Sequence, residues 1–153
     1  MIPEGGQKDV ASVEAVVDVV AYADGTADVL DNDQAFQNLV AERKGPLLAM
    51  QKTMEIIKGV LADPMVSSPV AEVLRVLTPL ADADQARNRP ADAEFFEAMG
   101  LRNHVRDLEI VPKTMTEREW LTRYVEQQEK RIALWSPHAN LVPTLYGPKG
   151  ANQ

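Results

Sequence analysis

Apolar positions recur along this chain mostly at a helical period, in segments cut short by proline and glycine. The clearest stripe is Leu47, Met50, Met54, Ile57 and Leu61, widened by Leu48, Ile56 and Val60. Spacings of three and four put such side chains on one face of a helix. Ahead of it, Asp33 can cap a helix through Phe36, Leu39 and Val40 that Gly45-Pro46 is expected to end. Pro46 then suits the first turn of the next helix. Asp63-Pro64 closes that segment, and Ser68-Pro69 opens another with Val70, Val73, Leu74 and Leu77 on one face. Thr78-Pro79 predicts a break or kink, followed by a weaker pattern from Leu80 to Asn88. Arg89-Pro90 marks a joint. Asp92 then caps a short helix through Phe95, Phe96 and Met99, with Gly100 as the residue that stops it. Leu101 to Val111 reads as a helical turn and a short extended piece before Pro112.

The strongest local signal is Thr116-Glu117-Arg118-Glu119, a capping box with Thr116 at the N-cap and Glu119 reaching back. Met115 and Trp120 have the spacing of a hydrophobic staple. Leu121, Tyr124, Val125, Ile132 and Trp135 give the buried face, and Trp135-Ser136-Pro137 is expected to stop the helix. Beyond it, Pro137, Pro143, Pro148, Gly147 and Gly150 alternate with Leu141, Val142, Leu145 and Tyr146. Proline fixes φ and removes a donor, so neither helix nor central strand is expected through this spacing. A disordered tail should be polar, whereas this one carries large apolar side chains. It reads as an extended arm lying on its own domain or on a neighbour.

The first element has two readings. Val10, Val13, Val17 and Val20 repeat at helical spacing behind Asp9. Against them, Val16 to Tyr22 is rich in β-branched residues, and Asp24-Gly25 before Thr26-Ala27-Asp28-Val29-Leu30 signals a hairpin. The valine period favours helix, with a β-hairpin over residues 16–30 as the competing reading. The whole pattern predicts a mainly α protein: a compact bundle of five or six short helices over residues 1–136, with an extended proline-rich arm over 137–153.

Composition narrows the function classes. A chain of 153 residues is expected to form one domain with its own core. No cysteine means no disulfide and no thiolate metal site. The start has neither basic nor apolar signal-peptide regions, and no apolar run approaches the ~20 residues of a membrane span. A soluble, cytoplasmic or otherwise intracellular protein without a signal peptide is the expectation. The formal charge of −7 sits entirely in residues 1–40, where eight acids face Lys8 alone. Such an acidic segment repels phosphate and anionic lipid and suits either solvation or a basic partner. The isoelectric point of about 4.8 makes nucleic acid an unfavoured partner, even with Arg87, Arg89, Arg102 and Arg106 around the joint.

Candidate chemistry is thin. His104 with Asp107 and Glu109 has metal-ligand types but no recognised spacing, and reads as a surface histidine. Asp24, Asp28, Asp31 and Asp33 miss the calcium-loop pattern, with Phe36 where the glycine belongs. Glu94 and Glu97 share a helix face as solvated acids. No catalytic residue, metal or cofactor is predicted. The leading expectation is a non-enzymatic interaction or structural subunit of a larger assembly, with an arm of the kind used by small virion or connector components. Its contacts to a protein partner or a second copy would be Trp135, Leu141, Val142, Leu145 and Tyr146. A small-molecule-binding or enzymatic pocket between helices is the alternative, and a nucleic-acid-binding regulator the next.

Overall fold

Four helices and a three-stranded sheet appear in the computed structural model, which describes residues 19–29, 33–83 and 92–144. In chain order these are β1 (Val19–Ala21), β2 (Thr26–Val29), α1 (Asp33–Ala62), α2 (Pro69–Asp82), α3 (Ala93–Glu109), α4 (Glu117–Ala139) and β3 (Val142–Thr144). The mainly helical bundle is as expected. The number of helices is not: among the described residues there are four, longer than the five or six short ones predicted.

The difference lies in what proline and glycine do here. Pro46, Pro79 and Pro137 all lie inside continuous helices. Each proline withholds a hydrogen bond from the carbonyl four residues back, and packing of the flanking turns outweighs that loss. Gly45 and Gly100 are not helix ends but points of close approach. A Cβ at Gly45 would stand 2.4 Å from Phe96 Cβ, 2.7 Å from Glu97 N and 2.8 Å from Ala93 O. One at Gly100 would stand 2.6 Å from Ala49 Cβ. Gly45 meeting Phe96 and Ala49 meeting Gly100 makes α1 and α3 run in the same direction, their backbones in contact.

Helix α4 runs antiparallel to α1, since Arg118 reaches the Leu61 carbonyl at one end while Arg43 reaches the His138 carbonyl at the other. Its first turn organises its neighbours. Thr116 Oγ1 accepts from Glu119 N at 3.1 Å and Glu119 Oε2 accepts from Thr116 N at 2.9 Å, completing the expected capping box. Arg118 donates to the carbonyls of Leu61, Asp63 and Val66, tying down the turn between α1 and α2. Glu117 Oε1 accepts from Val70 N at 3.1 Å and so caps α2, whose own Ser68 makes no side-chain cap. Thr116→Ala should therefore cost about 1 kcal/mol. A urea-unfolding midpoint lowered at constant slope would show it. The core that these ends enclose centres on Ile57, Val73, Leu77, Leu108 and Leu121, all fully buried.

Residues 19–29 form the hairpin rather than the favoured helix; Val10 to Val17 lie outside the described residues. Gly25 decides it. Its φ of +87° turns the chain back, Tyr22 N donates to Thr26 O at 2.8 Å, and Asp24 Oδ1 accepts from both Thr26 N and Thr26 Oγ1. These bonds hold the Asp24 carboxyl below its ordinary pKa, the Thr26 hydroxyl contributing most.

The arm begins differently from expectation. Helix α4 continues through Pro137 to Ala139, with Ser136 Oγ bonded to Ile132 O at 2.7 Å and Asn140 N closing the end on Ser136 O. Then β3 pairs parallel with β2, Thr26 opposite Val142 and Asp28 opposite Thr144. Val142 N donates to Gly25 O at 2.8 Å. Pro143 fits because β3 is an edge strand. No helix among the described residues is long and apolar enough to cross a membrane.

Candidate functional site: an apolar groove between α1, α3 and α4

Three helices leave an open groove of about 810 Å³ between them. Leu39, Glu42, Arg43 and Pro46 form the α1 wall, on successive turns of one face. Phe96 and Met99 come from α3, and Leu134, Trp135 and His138 from α4. Phe96 is held edge-on to Phe95 with ring centroids 5.3 Å apart. Trp135 stands edge-on to His138 at 6.4 Å. Arg43 Nη1 donates to the His138 carbonyl at 3.2 Å, fixing the end of α4 against α1.

Large apolar side chains are left in water here. Leu134 is 71% exposed, Trp135 43% and Met99 43%. Scattered exposed apolar residues are ordinary on a protein surface; three of them on one concavity are the usual mark of a binding surface. The groove can shelter large apolar or aromatic side chains of another segment, with Glu42 and Arg43 offering a charge of each sign beside them.

A second cluster lies inside the bundle. His104 Nδ1 is 2.6 Å from Tyr124 Oη, and Tyr124 Oη is 3.4 Å from Asp107 Oδ2. The tautomer that serves both contacts carries its proton on Nδ1, leaving the phenol hydrogen for Asp107. Gln128 is one turn beyond Tyr124 on α4, and both Thr53 and Gln128 are buried. Burial holds His104 below its ordinary pKa, with the Asp107 carboxylate opposing and Arg131 reinforcing; burial also pushes the Tyr124 phenol far up. His104 is thus a core residue, not the surface histidine expected.

A histidine depressed in the folded state binds fewer protons there than in the unfolded chain, so its stabilising effect is present above the unfolded value of 6.5 and is lost as pH falls through the folded one. Unfolding midpoints measured from pH 7.5 down to 5 should fall more steeply for the native chain than for His104→Gln.

The other predicted residues are dispersed. Trp135 belongs to the groove, but Leu141 is half-buried in the turn after α4, and Val142 is 61% exposed on β3. Leu145 and Tyr146 lie outside the described residues, as do Asp31, Arg87 and Arg89. Asp24 and Asp28 are engaged within the hairpin, Asp28 Oδ2 accepting from Tyr22 Oη at 2.5 Å. Glu97 is buried and paired with Lys52 rather than solvated, while Glu94 is exposed. Among the described residues no three or more His, Asp or Glu side chains converge as a metal site.

Sequence reasoning missed Leu39, Phe96, Met99 and Leu134 as partners of Trp135. The available signal was their position: Leu134 and Met99 lie off the buried stripes of their helices. No family model matches this chain, and neither a curated protein nor a solved structure matches it significantly.

Proposed function

We propose that this chain is a non-enzymatic protein-interaction module, a subunit of a larger assembly, and that the groove between α1, α3 and α4 is its docking surface. The occupant is a short protein segment carrying two large apolar side chains in polar surroundings. One observation carries the reading: Leu134, Trp135 and Met99 stand exposed around a single apolar concavity. Tryptophan is the residue most often found to dominate such contacts, because it brings a large rigid area into a pocket. The groove supplies apolar contact and peripheral charge, which is the equipment of recognition.

Titration of the labelled protein with nonapeptides bearing an adjacent Leu-Tyr or Leu-Phe pair should shift the signals of Met99, Leu134 and Trp135 in a saturable way. Trp135→Ser should weaken that binding about tenfold or more, with the unfolding midpoint almost unchanged. Absence of saturable binding at the groove by any such peptide would sink the reading.

A further inference from the structure

We infer that the cleft between the end of α1 and α2 is a second docking surface, which takes an arginine with apolar neighbours from an exposed segment of another protein. It stands independently of the groove between α1, α3 and α4. The cleft has a volume of about 380 Å³ and a floor of Ile56, Val60, Val66 and Val76. Val60 belongs to the main core, and Ile56 and Val66 pack on it, so most of the floor is held in place. One end is fixed as well. Arg118 donates to the Asp63 and Val66 carbonyls, and Asp63 Oδ1 accepts from Met65 N at 2.9 Å. Gly59 lines this cleft from the interior of α1, where glycine is unfavourable relative to alanine. Gly45 and Gly100 are required by the close approach of α1 and α3, but a Cβ at Gly59 would meet no described atom within 4 Å. Packing within the described fold therefore does not call for this glycine, whereas a foreign chain lying against the α1 backbone would. Met65, in the turn beside the cleft, is 86% exposed and offers that chain a further apolar contact.

Charge selects the occupant. Glu55, Asp63 and Glu72 line the cleft, and no lysine, arginine or histidine does. Arg75 offsets Glu72, bonding it through Nε at 2.9 Å and Nη2 at 2.7 Å. Glu55 is exposed and has no ion-pair partner among the described residues. An arginine suits both halves of such a site. Its methylenes lie along the isoleucine and valine floor, and its planar guanidinium can bond two carboxylates at once. The same rim repels phosphate and anionic lipid. Nine positions along α1, about 14 Å, separate Pro46 of the groove from Glu55 of the cleft. One copy therefore has room for two partners at opposite ends of one helix.

The test is a nuclear magnetic resonance titration of the full chain, at low salt, with the capped peptide acetyl-Ser-Val-Arg-Val-Ser-amide. Signals of Gly59, Val60, Val66 and Val76 should shift in a saturable way. Gly59→Leu fills the cleft and should weaken binding about tenfold or more. Its unfolding midpoint should not fall below native, since leucine is the better helix former and the position is open. Loss of binding without loss of stability separates a contact from a structural role. Glu55→Gln should weaken binding about threefold, and norleucine in place of the peptide's arginine about fivefold. No saturable shift at Gly59, undiminished binding by Gly59→Leu, or equal affinity for the norleucine peptide overturns the inference. Spermidine binding the cleft as tightly as the peptide also overturns it and assigns the site to a small polycation.

Discussion

Gly45→Ala should destabilise the protein by about 2 kcal/mol, although it replaces a poor helix former with the best one. Gain and loss come from separate terms. Alanine within a helix is worth about 1 kcal/mol over glycine. At Gly45, however, the new methyl would stand 2.4 Å from Phe96 Cβ, 2.7 Å from the Glu97 amide and 2.8 Å from the Ala93 carbonyl. Two of these are backbone atoms of α3, which cannot turn aside as a side chain would. The two helices must separate, and the damage extends along the interface to Ala49 and Gly100. Gly59 is the control on the same helix, where a Cβ would meet nothing within 4 Å. Gly59→Ala should stabilise by about 1 kcal/mol. Urea unfolding of both variants decides it. A gain at Gly45 as large as that at Gly59 would show that α1 and α3 do not cross there.

That contrast explains how far the fold could be read from sequence. Signals made within one turn of chain were legible: the Thr116 to Glu119 capping box, the Asp92 cap on Phe95 N and the Asp24-Gly25 turn all occur as chemistry requires. Signals whose meaning depends on a distant partner were not. Gly45 and Gly100 look like helix ends until the facing helix is known, and Pro46, Pro79 and Pro137 look like breaks until the packing that retains them is seen. The same holds for the groove. Trp135 stood out in the sequence, but Leu39, Met99 and Leu134 come from three different helices, and no local spacing announces their convergence. His104 read as a surface residue because its partners, Tyr124 and Asp107, belong in part to another helix.

Two leucines of α4 should separate stability from binding. Leu121 is fully buried in the main core, beside Tyr124 and Val125 and just inside the capped first turns. Leu121→Ala removes its buried methyl groups and leaves a cavity that the well-fixed start of α4 cannot close. A loss of about 3 kcal/mol is expected. The capping box and the Arg118 contacts make collapse around the site costly, which argues against the lower end of the usual range. Leu134, 71% exposed near the other end of the same helix, has little burial to lose. Leu134→Ala should leave the unfolding midpoint within about 0.5 kcal/mol of native. Peptide affinity at the groove should behave the other way round, falling for Leu134→Ala and holding for Leu121→Ala at temperatures where that variant stays folded. If Leu134→Ala instead destabilised the fold like a core substitution, its side chain would be packing against the protein's own body, and the groove would have no open wall to offer a partner.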